Sequence, residues 1–199
     1  MARYHHGNLR AALIEAAVEL GRESGPAGVG IREAARRTGV SHNAAYRHFA
    51  DLDDLVAEVA SVSLQGLARA MTKRINRVRD KDPRTRALAR LQAVGRAYVE
   101  YALEEPGLFS VAFASQAHGT PGADGPFEIL GKVLDECVEV GAIPQANRPR
   151  AEIVCWSAVH GFAMLHLRGP LSESSRRERD LALRTMQARI EDGLAWSRP

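Results

Sequence analysis

Apolar residues recur three or four positions apart along every long segment of this chain. Leu64, Leu67, Met71, Ile75 and Val78 show the spacing, which places their side chains on one face of an α-helix. No segment alternates apolar and polar residues between hairpin turns, so strands are not expected. Breaks rich in Pro and Gly separate the helical segments. The pattern predicts an all-α protein of about nine helices, one of them a long helix over residues 51–78.

The composition is typical of a folded globular protein. Hydrophobic residues make up 45% and charged residues 26% of the 199 residues, which argues against disorder. The chain has no apolar run of about 18 residues and no apolar segment near its N-terminus, so neither a membrane span nor a secretory signal is expected. Cys137 and Cys155 are too few for a disulfide framework and lack zinc-site spacing. We therefore expect a cytoplasmic protein with no metal and no cofactor.

The charges are unevenly distributed, although the net charge is only +3. Residues 1–50 carry seven arginines against four glutamates, and residues 69–90 carry nine basic against two acidic side chains. Residues 91–175 reverse the balance, with five basic against ten acidic. Such asymmetry suggests an anionic partner at one end of the protein, with solvated helix faces as the alternative. We interpret residues 69–90 as a solvated face paired with the acidic middle of the chain.

The segment most informative for function is residues 31–49. A short helix from Ile31 to Arg37 leads to Gly39, which can adopt the left-handed conformation that ends a helix. Ser41 is then a good N-cap for a second short helix. This is a helix-turn-helix pattern, whose second helix fits the major groove of DNA. The side chains expected to pack the two helices together are Ala35, Val40, Ala45 and Phe49.

The other side chains of this segment are expected to face outward. His42 and Asn43 suit base edges, whereas Tyr46, Arg47 and His48 suit phosphate oxygens. The arginine that opens the first helix is either a reader of guanine or an ordinary surface residue. The predicted DNA-binding residues are Arg32, Ser41, His42, Asn43, Ala44, Tyr46, Arg47 and His48.

Three motifs, in order along the chain, carry a family resemblance. The first is Tyr4-His5-His6-Gly7-Asn8-Leu9-Arg10. The second joins Arg32-Glu33 and Ala35 to Gly39-Val40-Ser41 and Ala45-Tyr46-Arg47-His48-Phe49. The third is Trp156-Ser157-Ala158-Val159-His160-Gly161. Together they resemble the TetR family of transcription regulators, and the first and third resemble one branch of that family.

Two positions depart from the family pattern. Gly30 stands where the family commonly has a Thr or Ser that caps the first helix of the motif. Leu52 stands where it commonly has a Lys that touches phosphate. The second departure is expected to lower DNA affinity, while Asp51 is still able to cap the long helix.

The resemblance implies two functional domains joined by the long helix. Residues 1–52 would form the helix-turn-helix domain, and residues 53–199 the ligand-binding and dimerisation domain. The implied protein is a homodimeric repressor that binds a near-palindromic operator and is released from it by a small molecule. The alternatives are an architectural DNA-binding protein without a ligand and a helical enzyme. The long C-terminal region argues against the first, and the lack of a nucleophile elbow or a phosphate loop argues against the second.

The C-terminal helices are rich in aromatic and sulfur-containing residues. Such residues can line a mostly apolar ligand cavity, although an aromatic stripe at helical spacing more often forms plain core. A mostly apolar effector is therefore expected, with Arg96 and His160 as polar anchors. No cluster of Lys or Arg in this region demands an anionic ligand. The predicted ligand-binding residues are Arg96, Tyr98, Tyr101, Phe109, Phe113, Trp156, His160 and Met164.

The last two long helices, about residues 150–168 and 173–196, are the predicted dimer interface. Small residues on the first of them permit close approach, and the second carries an apolar stripe. Two helices from each protomer would form a four-helix bundle. The predicted interface residues are Ser157, Gly161, Leu183, Met186, Ile190 and Leu194.

Overall fold

The structure, a computed structural model, describes residues 9–114 and 125–196. Within these ranges the regular structure is entirely helical, which confirms the predicted fold class. The long helix predicted over residues 51–78 is α4, and none of the helices described is both long and apolar enough to cross a membrane. The α-helices are α1 (Leu9–Ser24), α2 (Ile31–Thr38), α3 (His42–Ala45), α4 (Leu52–Ile75), α5 (Pro83–Glu104), α6 (Pro106–Ala114), α7 (Pro126–Glu139), α8 (Ala151–Leu167) and α9 (Arg176–Ala195).

The described chain divides into two compact units. The first contains residues 9–65 and 105–114, and the second contains residues 66–104 and 125–196. The boundary predicted after residue 52 therefore falls inside the first unit. The difference arises because Leu55, Val59 and Ala60 in the first half of α4 belong to the core of the first unit, together with α6, which packs against α1 and the 3₁₀ turn after it.

The core of the first unit forms where α1, α2, α3 and α6 meet the first half of α4. Gly107 permits the close approach of α6, since a Cβ there would collide with the carbonyl oxygens of Gly21 and Arg22. The Ser63 hydroxyl of α4 donates a hydrogen bond of 2.9 Å to the carbonyl oxygen of Leu108 in α6. The helix-turn-helix is thus attached to a packed support.

The second unit is organised around α5, which packs against α7, α8 and α9. The Asp82 carboxylate accepts a 2.8 Å hydrogen bond from the backbone N–H of Thr85 and so caps the start of α5, as its place before Pro83 predicts. Helix α9 begins with a reciprocal capping box between Ser175 and Glu178. These caps fix the start of α5, which carries candidate ligand residues, and the start of α9, which carries predicted interface residues.

Candidate DNA-binding and ligand-binding sites

The helix-turn-helix forms where the sequence predicts it. Gly39 adopts a left-handed φ of 71° after α2, and the backbone N–H of Val40 bonds back to the carbonyl of Ala35. The Ser41 hydroxyl then accepts a 3.2 Å hydrogen bond from the backbone N–H of Ala44 and caps α3. Helix α3 is short, and residues 46–48 continue from it as a turn. By contrast, Gly30 gives the start of α2 no side-chain cap.

Burial separates the packing residues from the candidate DNA contacts as predicted. Ala35, Ala45 and Phe49 are almost completely buried, and Val40 packs partly against the same core. Ala44 is half-buried. The other predicted DNA-binding residues are all exposed: Arg32, Ser41, His42, Asn43, Tyr46, Arg47 and His48.

Some arginines of the helix-turn-helix form ion pairs with acidic side chains, and others do not. Arg36 forms two hydrogen bonds with Glu33, at 2.8 and 2.6 Å, and Arg37 forms two with Glu23, at 2.9 and 2.6 Å. The Arg36 hydrogen bonds lower the pKa of Glu33 to about 2, with a smaller contribution from Arg37. Within the described part of the chain, Arg32 and Arg47 have no such ion pair. They are the cations of the motif available to an external anion.

Sequence reasoning missed a structural role for Arg10. Its guanidinium donates a 2.7 Å hydrogen bond to Glu58 in α4 and lies 5.3 Å from the centre of the Phe49 ring. One side chain thus links α1, α4 and the residue that ends the recognition segment. Arg10 closes the opening motif of the sequence, but neither of its partners is near it in the chain.

The start of α4 has the expected cap at Asp51 and the unusual residue at position 52. The Asp51 carboxylate accepts a 2.9 Å hydrogen bond from the backbone N–H of Asp54, so Asp51 caps the helix. Leu52 is 46% exposed and has no polar group to offer. The position where the family resemblance leads us to expect a phosphate-binding Lys is therefore an exposed apolar side chain.

A small apolar cavity lies within the second unit. Its volume is about 30 Å³, which is room for about two water molecules. Tyr98 of α5 and Trp156 of α8 form part of its wall, as predicted for a ligand site. The other apolar lining residues include Met71, Leu91, Val94, Leu130, Val159 and Ile190.

A hydrogen-bonded aromatic group supports this cavity. The Tyr98 hydroxyl lies 2.8 Å from Nδ1 of His160, and the Tyr98 ring meets Trp156 edge-on at 5.1 Å. Burial raises the pKa of Tyr98 and lowers the pKa of His160, which favours the uncharged form of each group. His160 does not line the cavity itself, but it is hydrogen-bonded to Tyr98, which does.

Six of the eight predicted ligand residues do not line this cavity. Phe109 and Phe113 belong to the first unit, where their rings lie 4.7 Å apart. Arg96 instead faces Glu100 and Asp180, at 3.7 and 3.5 Å. The apolar periodicity indicates which face of a helix is buried, but not which neighbour that face meets. The six residues are Arg96, Tyr101, Phe109, Phe113, His160 and Met164.

Part of the basic segment 69–90 is paired with the acidic middle of the chain, as expected. Arg74 forms an ion pair with Glu100, and Arg90 forms one with Glu136 at 2.7 Å. The sequence of the C-terminal region shows no cluster of Lys or Arg, but the fold brings arginines from α4, the turn after it, α5 and α9 to one groove. The arginines lining this shared groove are Arg74, Arg77, Arg96 and Arg184.

The predicted dimer interface needs a correction in α9. Leu183 and Leu194 are only 2% and 6% exposed, because they pack inside the protomer, so they have no surface left for a partner. Met186 and Ile190 are half-buried, whereas Ser157 and Gly161 are exposed. Helix α8 presents an exposed stripe around these two small residues. Its large apolar members are Ile153, Val154, Met164 and Leu165.

Comparisons with known proteins agree with the fold and the helix-turn-helix. Residues 13–59 match the family model "Bacterial regulatory proteins, tetR family", and residues 91–189 match "Tetracyclin repressor-like, C-terminal domain". The uncharacterized HTH-type transcriptional regulator YobS of Bacillus subtilis is 24% identical over 169 residues, which cover 85% of this chain and 82% of YobS.

Two solved structures illustrate the likeness of the fold. A protein of unknown function from Rhodococcus sp. RHA1 superimposes with a TM-score of 0.79 and 26% identity, covering 98% of this chain and all of that one. A TetR variant from Acinetobacter baumannii, in complex with minocycline, gives a TM-score of 0.65 at 16% identity and 96% coverage of both chains.

A short helix capped after a left-handed glycine, with polar side chains exposed along it, is the geometry of a helix-turn-helix, whose second helix can enter the major groove of DNA. The two family matches lie at the two ends of an all-α chain of the corresponding architecture. The chain belongs to the TetR family of bacterial transcription regulators. It is therefore a DNA-binding regulator and not an enzyme.

Proposed function

We propose that this protein is a homodimeric repressor that acts in the cytoplasm and leaves its operator when a small-molecule effector binds. The observation that carries the proposal is the exposed recognition surface on and beside α3. His42 and Asn43 are available to base edges, while Tyr46 and Arg47 are available to phosphates. A protein with this surface would be held on DNA chiefly by phosphate contacts and would be directed to one sequence by base contacts.

The exposed stripe of α8 supports dimerisation. Ser157 and Gly161 let a second helix approach closely, and Val154 and Leu165 remain 52% and 43% exposed in the protomer. A second copy of the chain would bury them in a self-complementary interface. The two recognition helices would then read half-sites whose centres are about 34–36 Å apart along the DNA.

The effector site we propose is the apolar cavity beside Tyr98 and Trp156. At about 30 Å³ it is far smaller than the ~300–1,000 Å³ of typical ligand sites. A mostly apolar effector would therefore bind only a conformation in which these rings have moved apart. Such a ligand would bind the conformation with separated rings and not the closed one. Release from DNA requires a difference in affinity of this kind between two conformations.

Transcription in a purified system tests the repressor function. Operators would first be selected from random DNA with the purified protein, then placed across a promoter. We expect transcription to fall as protein is added, and only on the templates that carry the operator. Equal transcription from both templates, or a rise on the operator template, would contradict repression.

Asn43→Ala is expected to relax the sequence preference of the protein. A side-chain amide that pairs with a base contributes about 1–3 kcal/mol of discrimination against the wrong base. The variant should bind the preferred operator more weakly than the wild type does. Its binding should differ little from that of the wild type on operators already altered at the base pair that Asn43 reads. Competition assays with single-base operator variants would measure this. The control is Arg47→Ala, which should weaken all these DNAs alike.

Val159 lines the cavity, so a smaller and a larger side chain at this position are expected to have opposite effects on the binding of indole, a small apolar probe. Val159→Ala should enlarge the cavity, increase binding of indole and lower the free energy of unfolding by about 2 kcal/mol. Val159→Ile should reduce indole binding. Calorimetry and thermal melts would measure both effects. Val99→Ala is the control, since Val99 is buried in α5 but does not line the cavity. Indole binding that is unaffected by Val159 would rule out this site.

A further inference from the structure

A second concave surface of the second unit is chemically unlike the apolar cavity. It is a groove of about 360 Å³ between the end of α4, the middle of α5 and the face of α9 that carries Arg184. Four arginines line it: Arg74, Arg77, Arg96 and Arg184. Among the described residues, no carboxylate is part of its lining. We propose that this groove binds a small organic dianion that carries phosphate or paired carboxylate groups.

The local charge balance favours a doubly charged ligand. Glu100 pairs with both Arg74 and Arg96, and Asp180 lies 3.5 Å from Arg96. These two carboxylates face four guanidinium groups, which leaves a surplus of two positive charges. Within the described ranges, Arg77 and Arg184 have no ion pair of their own. A cationic concave surface of this kind concentrates field lines and attracts anions.

The arginines that do have acidic partners are held in place. The side chains of Arg74 and Arg96 are only 32% and 24% exposed, and Glu100 connects them. The carboxylates therefore orient two guanidinium groups, while the exposed Arg77 and Arg184 stay available. Guanidinium groups bind phosphate and carboxylate through pairs of parallel hydrogen bonds, which a compact dianion can accept on more than one side.

The rest of the lining suits an organic body attached to the charged group. Val78, Ala89 and Ala93 provide apolar surface, and Gln92 and Gln187 provide amides. The groove volume lies at the lower end of the range for small-molecule sites. A ligand there would connect the end of α4 to α9, two elements of the same unit.

Calorimetric titration of the full-length protein with sodium pyrophosphate tests the proposal. The ionic strength is held constant with sodium chloride, and a parallel titration uses sodium succinate. We expect saturable binding of about one pyrophosphate per protomer, weakened at least tenfold by Arg77→Gln, Arg184→Gln. Both side chains are exposed, so the variant should fold normally. Binding of succinate as well would define the ligand class as dianions generally, and binding of pyrophosphate alone would restrict it to phosphate compounds.

The matched control is Arg177→Gln, Arg189→Gln, because both of these arginines are exposed on α9 and lie outside the groove. It removes the same charge as the groove variant, so an equal loss in both would show a general charge effect and overturn the proposal. Absence of pyrophosphate binding would also overturn it. If the protein does not bind pyrophosphate and Arg77→Gln, Arg184→Gln lowers its non-specific affinity for DNA, the groove contacts DNA and the proposal is overturned. No operator is present, so the result is independent of the proposed repressor function.

Discussion

Replacing both Tyr46 and Arg47 by Ala is expected to lower operator affinity at least about a hundredfold. Both side chains are exposed beside α3, and hydrogen bonds to charged groups contribute about 1.5–3 kcal/mol each. The loss should be similar for all operator sequences, and the dependence of affinity on salt should become shallower. Fluorescence anisotropy at several salt concentrations would measure both quantities.

The control for this variant is Arg36→Ala. Arg36 is an exposed arginine of the same motif, but its guanidinium is engaged by Glu33. Its loss should change operator affinity much less than the double substitution does. If Tyr46→Ala, Arg47→Ala kept wild-type affinity at matched salt, α3 and the turn after it would not be the DNA-binding surface.

Placing charges on the exposed stripe of α8 is expected to produce monomers. Val154→Glu, Leu165→Glu would require carboxylates to be buried without a cationic partner in a two-fold interface, and burying an unpaired charge costs several kcal/mol. The protomer should stay folded because both positions are on its surface. Sedimentation equilibrium would show the change in mass, and tight operator binding should be lost with the dimer.

Val154 and Leu165 suit this test better than the predicted interface residues of α9. Charges at Met186 or Ile190 would also disturb the protomer, since both side chains are half-buried and Ile190 lines the cavity. Thr72→Glu, an exposed position of α4, controls for an added carboxylate on a helix surface. A Val154→Glu, Leu165→Glu protein that remains a dimer would place the interface elsewhere.

The sequence predicts local structure well where one residue type has one physical role. Gly39 ends α2 because a left-handed φ suits glycine, and Ser41 and Asp51 cap helices because their oxygens reach the free backbone N–H groups. Phe49 is recognisable as a packing residue because it is the only large side chain without a polar group between Val40 and Leu52. These features suffice to predict the helix-turn-helix and the surface it exposes.

Contacts between distant helices could not be predicted in this way. Phe109 and Phe113 have the same periodicity as cavity residues, but α6 packs in the first unit. Leu183 belongs to an apolar stripe that fits a dimer interface and an internal core equally well, and the structure buries it. The arginine groove combines residues more than one hundred positions apart, from Arg74 to Arg184. Such sites depend on tertiary packing rather than on local pattern.

A hydroxyl-radical footprint on a selected operator tests the central claim most directly. A dimer with two recognition helices should protect two half-sites whose centres are about one helical turn apart, with the protections related by two-fold symmetry. Tyr46→Ala, Arg47→Ala protein should leave the same DNA unprotected at that concentration. Uniform protection along the DNA with no preferred sequence would contradict the account and indicate an architectural DNA-binding protein instead.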